Sequence, residues 1–135
     1  MPMTQDGLTV QTSIEHSIEQ TYAFLREPEN FPKWASGLGS GLTREDDKWY
    51  AAAPQGRAEV TFSEANPYGV ADHWVKLPDG KELYIPLRVI GNGAGCEVLL
   101  TLFRAPDVAD ETFAQDQDWV RKDLQKLKQL MENGE

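Results

Sequence analysis

The feature that most constrains the fold is one long helical pattern at the end of the sequence, which follows a series of short strand patterns. Between about residues 111 and 132, apolar residues recur at helical spacing. The stripe consists of Phe113, Val120, Leu124, Leu127 and Met131, widened by Trp119 and Leu130. At ~1.5 Å per residue this helix would be about 33 Å long, enough to cross a whole sheet. A helix of this kind must bury its stripe against a second layer.

The strand patterns supply that layer. Residues 7 to 15 alternate between apolar and polar side chains, as a half-buried strand requires. Between about residues 41 and 104, further strand-like segments are separated by turn signals. These signals lie at Asp46-Asp47, Pro54-Gln55-Gly56, Asn66-Pro67-Tyr68-Gly69, Pro78-Asp79-Gly80 and Gly91-Asn92-Gly93. Short strands joined by short turns predict an antiparallel meander, with about seven strands in all.

Two short helices are predicted between the first strand and this meander. Ser17 and Gln20 have the spacing of a capping box, and Pro28 ends the helix because it pushes Glu27 out of the α region. A second short helix or a tight turn follows at residues 31–34, before a loop that contains Gly37, Gly39 and Gly41. The order of elements predicts an α+β fold in which a curved antiparallel sheet holds one long helix.

Four stretches of sequence carry a resemblance to a known superfamily. They are SIEQTYAFLREPENFPKW, NPYGVADHWVKL, IPLRVIGNGAGCEV with the later TLFR, and DQDWVRKDLQKL. Together they resemble the START-like superfamily, also called SRPBCC, and in particular small bacterial proteins labelled polyketide cyclase/dehydrase-like. The resemblance implies one helix-grip domain over residues 1–135, with a hydrophobic ligand held between the sheet and the C-terminal helix. Because one fold hosts many activities, the resemblance is specific for fold and weak for function.

The charge balance excludes several classes of partner. The chain has 22 acidic and 13 basic residues and a net charge of −9, which argues against sequence-independent binding to nucleic acid and to anionic membranes. No apolar run approaches the ~20 residues of a membrane-spanning helix. Cys96 is the single cysteine, and MPMTQDG lacks the features of a signal peptide, so we expect a cytoplasmic protein. The motifs indicate no metal site and no cofactor.

His73 is the sharpest candidate for a functional residue. It shares a strand face with Ala71 and Val75, so its imidazole should point inward, where it could orient or protonate a ligand. The alternative is a core histidine that is hydrogen-bonded by a carbonyl, water or tyrosine. Asp72 has the opposite parity and should face away from His73. An Asp-His pair is therefore not expected.

The other predicted pocket residues are apolar and aromatic. Trp34 could close the cavity as a lid or simply pack the short helix on the sheet. The full set comprises Trp34, Trp49, Val60, Phe62, His73, Val75, Ile85, Leu87, Leu100, Trp119, Val120 and Leu124. A slip of one residue in strand register would exchange the two faces, and Asp72, Tyr84 and Arg88 would then be the polar groups of the pocket. Pro86 makes such a slip conceivable, because prolines in strands mark edges or bulges.

Three functions remain open on the sequence. The first is a non-catalytic carrier or sensor of a lipid- or polyketide-like small molecule. The second is a polyketide cyclase/dehydrase-like enzyme in which His73 moves a proton and a tyrosine or arginine stabilises an enolate. The third is an interaction module resembling the superfamily's chaperone activators, with Trp74 and Tyr84 on the outer face as a partner or homodimer patch.

Overall fold

The computed structural model describes residues 3–35, 42–53 and 56–133. The predicted loop with Gly37, Gly39 and Gly41, and the turn residues Pro54 and Gln55, lie outside the described residues. The strands are β1 (Gly7–Ile14), β2 (Leu42–Glu45), β3 (Lys48–Ala53), β4 (Gly56–Phe62), β5 (His73–Lys76), β6 (Glu82–Ile85), β7 (Leu87–Asn92) and β8 (Gly95–Phe103). The helices are α1 (Ile18–Leu25), α2 (Phe31–Trp34) after a 3-10 turn at Pro28–Asn30, and α3 (Asp110–Glu132). The predicted α+β class and the order of helices and strands are confirmed.

The strands form two antiparallel sheets, whereas the sequence predicts one curved sheet. One has the order β1-β8-β7 and the other the order β2-β3-β4-β5-β6. The described residues contain eight strands rather than about seven, because Pro86 divides the predicted strand of residues 82–89 into β6 and β7. Proline has no N–H group to donate to a ladder, so a strand interrupted by proline ends or bends there. The Pro86 carbonyl still accepts a hydrogen bond from the Thr101 N–H, at 3.0 Å.

Local sequence signals explain the ends of several elements. The Ser17 hydroxyl accepts a hydrogen bond from the Gln20 N–H at 3.2 Å and so caps α1. Glu27 is extended, with φ −82° and ψ 116°, as expected for a residue before proline. Asp46 and Asp47 both have positive φ, 50° and 66°, which gives the β2–β3 hairpin the twist of a type I′ turn.

The main hydrophobic core lies between α3 and the three-stranded sheet. The helix packs on β1, β8 and α2. Its side chains Leu124, Leu127 and Met131 are buried there, as are Val98 and Leu100 on β8. No helix within the described ranges is long and apolar enough to cross a membrane.

Candidate functional site

An aromatic cluster lies where α2 meets the inner face of the five-stranded sheet. Its centre is Phe31, whose ring centroid lies 5.2 Å from that of Trp34, 4.8 Å from Phe62 and 5.0 Å from His73. Trp49 joins through an edge-on contact with Phe62, at 6.5 Å. We call Phe31, Trp34, Trp49, Phe62 and His73 the aromatic cluster. Phe62 and His73 are paired across β4 and β5, and this pairing places both rings on the inner face.

Two rings of the aromatic cluster carry a buried polar atom that has no hydrogen-bond partner in the described part of the chain. These atoms are Trp34 Nε1 and His73 Nδ1. Trp34 is 3% exposed and His73 is 6% exposed. A buried polar group without a partner costs about 1–3 kcal/mol, so folded proteins seldom retain one without a reason. Because both rings pack on Phe31, the two atoms belong to one region of the interior.

The same burial changes the acid-base state of His73. Loss of water around the imidazole lowers the pKa of His73 to about 4, and the Ala71 backbone and the Asp72 charge oppose this shift only in part. The ring is therefore neutral at pH 7. A neutral imidazole has one nitrogen that donates and one that accepts, so His73 can bind either a donor or an acceptor. Its low pKa makes it a weak general base.

The lowered pKa of His73 predicts how stability depends on pH. In the unfolded chain this side chain binds a proton below about 6.5, whereas in the folded protein it does so only below about 4. The unfolded state therefore binds more protons between these values, and the free energy of unfolding rises with pH across this window. The contribution of His73 is at most about 3 kcal/mol, and it is lost as the pH falls from 6.5 to 4. Urea denaturation at a series of pH values measures this slope.

The matched variant for this measurement is His73→Phe, which keeps a flat ring and removes the titrating group. Its stability should change much less between pH 6.5 and 4 than that of the wild type. His16→Phe tests the second histidine, whose Nδ1 accepts a hydrogen bond from the Ser17 N–H at 2.9 Å. If His73→Phe retained the full wild-type slope, the assignment of that slope to His73 would be wrong.

The structure divides the predicted pocket residues into three groups. The aromatic cluster contains Trp34, Trp49, Phe62 and His73, and Val60, Val75 and Ile85 lie beside them on β4, β5 and β6. Leu87, Leu100 and Leu124 are buried under α3 in the same hydrophobic core that contains Phe31 and Trp34, and Val120 packs against it. Trp119 is 56% exposed and lies at the surface rather than in the core.

Two open depressions border the aromatic cluster. One, of about 460 Å³, lies between α2 and α3 and is lined by Trp34 and Trp119 among others. The second, of about 420 Å³, lies on β3 and β4 and is lined by residues that include Trp49, Val60 and Phe62. Trp34 thus contacts Phe31 on one side and a surface groove on the other. Trp34 is buried in the hydrophobic core and also borders the groove, so both alternatives fit its position and the lid role stays a prediction.

Asp72, Tyr84 and Arg88 do come together, but on the outer face and with the predicted parity kept. Asp72 accepts hydrogen bonds from Arg88 Nε and Arg88 Nη2, both at 2.8 Å, and from the Tyr84 hydroxyl at 2.7 Å. Its Oδ1 also accepts from the Leu87 N–H at 2.8 Å. No register slip is needed to form this network. Burial alone would raise the pKa of Asp72, but the bonds from Arg88, Tyr84 and Leu87 lower it below its ordinary value.

The Asp72 network joins the two sheets. Leu87 is the first residue of β7, and Asp72 directly precedes β5 in the other sheet. A backbone bond from the Ala71 N–H to the Leu87 carbonyl, at 2.8 Å, lies next to it. The carboxylate therefore holds the junction of the sheets and leaves His73 without an acidic partner.

Sequence reasoning missed the central role of Phe31. The sequence patterns place Phe31 in the second short helix or turn but not among the pocket residues. It is 1% exposed and contacts three of the four other rings in the aromatic cluster. A usable signal was the spacing of Phe31 and Trp34, since residues three apart lie on the same side of a helical turn. Its contacts with β4 and β5 depend on long-range packing, which no local pattern records.

Comparison with known proteins supports the fold. No family model and no curated protein matches the chain. Among solved structures, a protein from Mesorhizobium loti is 14% identical over 96% of this chain and 99% of its own, with a TM-score of 0.71. The Aha1 dimer from Colwellia psychrerythraea is 16% identical over 96% of this chain and 98% of its own, with a TM-score of 0.69.

A third similar structure is DynU16, from the dynemicin biosynthetic locus. It is 14% identical over 96% of this chain, with a TM-score of 0.69. The match covers 48% of DynU16, so this chain spans about half the length of that protein. At these identities the comparisons establish a shared fold and no shared activity. The resemblance to START-like proteins is confirmed at the level of the fold.

Proposed function

We propose that this protein binds a small hydrophobic molecule bearing a hydrogen-bonding group, with that group at the aromatic cluster. The observation that carries the proposal is the pair of buried, unpartnered atoms Trp34 Nε1 and His73 Nδ1. Small-molecule sites are mostly apolar and contain a few placed polar groups, which describes these five rings. A ligand that bonds to either atom would recover free energy that the ligand-free protein lacks.

The chemistry of the two atoms restricts the polar part of the ligand. The indole Nε1 of Trp34 only donates, so it requires an acceptor such as a carbonyl or hydroxyl oxygen. His73 is neutral because of its low pKa, so it can accept from or donate to a hydroxyl or an N–H group. Lipid- and polyketide-like molecules combine such oxygens with an apolar body. This is the ligand class that the resemblance implies.

Binding is better supported than acid-base catalysis. A histidine with a pKa of about 4 is a poor base at neutral pH, because general bases work best with a pKa near the working pH. The carboxylate next to it in sequence, Asp72, is held by Arg88 and Tyr84 on the other face. A cyclase-like activity remains the second candidate. Its support is the fold shared with DynU16.

An interaction function has one observation in its favour. Trp74, Tyr84 and Phe103 stack on the outer face, with ring centroids 5.4 Å and 6.2 Å apart. Tyr84 is 39% exposed and Phe103 is 43% exposed. A homodimer would use this surface, and light scattering over a range of concentrations tests for it. The stack lies on the opposite side of the sheet from the aromatic cluster, so the two functions are compatible.

Ligand binding is tested with the neutral dye N-phenyl-1-naphthylamine, which fluoresces in apolar surroundings and has one N–H donor. We expect the wild type to bind it, and His73→Phe to bind it about tenfold more weakly, because the acceptor is lost. The same variant should be at least as stable as the wild type at pH 7, since a buried unpaired polar atom is replaced by an apolar one. Native mass spectrometry of protein purified without added ligand would show any molecule that co-purifies.

Two further variants sharpen this test. Trp34→Phe removes the Nε1 donor and keeps an aromatic ring, and because the dye has no oxygen to accept from Nε1, this variant should fold and bind the dye like the wild type. His16→Phe is the control, because His16 lies outside the aromatic cluster, and it should bind the dye like the wild type. Equal dye affinity in the wild type and His73→Phe would refute the proposed site.

A further inference from the structure

The groove between α2 and α3 is unusual in its charge. Its lining contains Lys33 from α2 and Lys122 and Lys126 from α3, with Asp123 as the acidic member. Three lysines against one aspartate make the groove positive in a chain whose net charge is −9. On α3 the spacing of Trp119, Lys122 and Lys126 places the three side chains on one face of the helix. The groove therefore combines positive charge with an exposed indole ring.

These lysines differ from most of the other cations in the described part of the chain, because they form no ion pair there. All six arginines form ion pairs, and so do Lys48, Lys81 and Lys128. Within residues 3–35, 42–53 and 56–133, the lysines that form no ion pair are Lys33, Lys76, Lys122 and Lys126. Three of these four line the groove. Lys33 Nζ lies 6.0 Å from the centroid of the Phe24 ring, a cation–π contact that leaves its positive charge in place. Cations gathered around one concave surface attract an anion.

The groove also touches the aromatic cluster through Trp34. Trp119, 56% exposed, lies on its α3 side, and Trp34 lies on its α2 side. Trp34 packs at 5.2 Å on Phe31, so it is a wall of the groove and a member of the aromatic cluster. A molecule with a charged end in the groove and an apolar body directed past Trp34 would contact both the groove and the aromatic cluster.

We propose that the ligand of this protein is an amphipathic anion whose charged group, a carboxylate or a similar oxyanion, lies among Lys33, Lys122 and Lys126. Its apolar body packs on Trp119 and reaches the aromatic cluster past Trp34. This inference rests on the proposed function and narrows it, because it assigns the sign of the ligand's charge. Ammonium contacts with an oxyanion at a partly exposed groove contribute modestly each, so several lysines act together.

A pair of dyes with one shared apolar body tests the sign of the charge. N-phenyl-1-naphthylamine is neutral, and 1-anilinonaphthalene-8-sulfonate adds a single sulfonate to the same rings. We expect the wild type to bind the sulfonated dye more tightly in spite of its own net charge of −9. The double variant Lys122→Gln/Lys126→Gln should bind the sulfonated dye about tenfold more weakly and the neutral dye within about twofold of the wild type. Salt at about 0.5 M should have the same selective effect.

The control is Lys76→Gln/Lys81→Gln, which changes the net charge equally but lies away from the groove. It should leave the affinity for both dyes within about twofold of the wild type. If the two double variants reduced the affinity for the sulfonated dye equally, the groove assignment would be overturned and the proposed function would stand. If His73→Phe left the affinity for both dyes unchanged, the proposed function would fail, and with it the path past Trp34. If the wild type bound neither dye, both the groove assignment and the proposed function would be overturned.

Discussion

Asp72→Ala is expected to destabilise the protein by about 3–4 kcal/mol, which is a large part of the stability of a domain of this size. The carboxylate is 4% exposed and accepts hydrogen bonds from Arg88, the Tyr84 hydroxyl and the Leu87 N–H. Alanine leaves the buried Leu87 N–H without an acceptor and removes the side-chain link at the junction of the two sheets, where backbone bonds such as that from the Ala71 N–H to the Leu87 carbonyl remain. The Arg88 side chain is 46% exposed and can turn toward water, so the loss falls at the lower end of the range for a broken buried ion pair.

Urea denaturation at pH 7 measures this effect as a shift of the midpoint. The control is Asp107→Ala, which removes the exposed ion pair of Asp107 with Lys81 and should change the midpoint little. Asp72→Asn keeps the shape of the side chain and one acceptor oxygen. Its free energy of unfolding should therefore lie between that of the wild type and that of Asp72→Ala. If Asp72→Ala were no less stable than Asp107→Ala, the carboxylate would not hold the sheets together.

Gly69→Ala is expected to cost about 4 kcal/mol, because the position combines a left-handed backbone with a steric clash. Gly69 has φ +72°, which alone costs an L-residue about 1–2 kcal/mol. A Cβ atom there would lie 2.2 Å from the Val89 carbonyl oxygen, far inside van der Waals contact. The backbone cannot move away freely, since the Val89 N–H donates to the Gly69 carbonyl at 2.9 Å.

Gly80→Ala is the matched control for this prediction. Gly80 also has a positive φ, +92°, but a Cβ atom there would meet nothing within 4 Å. Gly80→Ala should lower the free energy of unfolding by about 1–2 kcal/mol, which is the cost of the backbone conformation alone. The difference between the two variants in urea denaturation therefore isolates the clash with Val89. Equal losses in the two variants would show that the contact between Gly69 and β7 is readily relaxed.

Local patterns were sufficient to predict most of the elements of this fold. Alternation and turn chemistry place the strands, and the change to helical spacing places α1 and α3. The two faces of β5 also follow from alternation, since His73 faces inward and Trp74 outward. Each of these patterns records a contact between a segment and one layer of the protein, and such contacts are visible in a short window of sequence.

The features that escaped prediction depend on residues distant in sequence. Asp72 was expected to face away from His73, and it does, but its burial depends on Arg88 sixteen residues later. Phe31 became the centre of the aromatic cluster because α2 packs on β4 and β5. Trp119 widens an apolar stripe in sequence, yet it is 56% exposed because α3 turns its buried face toward β1 and β8. Helical spacing predicts that a face is apolar but not where its margin lies.

The junction at Asp72 gives experimental access that an ordinary sheet does not. Elsewhere in the two sheets, strands are joined by backbone hydrogen bonds, which no amino-acid substitution can delete without changing the main chain. At Leu87 the acceptor is the Asp72 carboxylate, so one bond between strands is encoded by a side chain. The Asp72 side chain thus adds a bond between the sheets to the backbone bonds at Ala71 and Gly69, and substitutions at Asp72 can weaken that added bond in steps. Hydrogen exchange at the Leu87 amide would report each step.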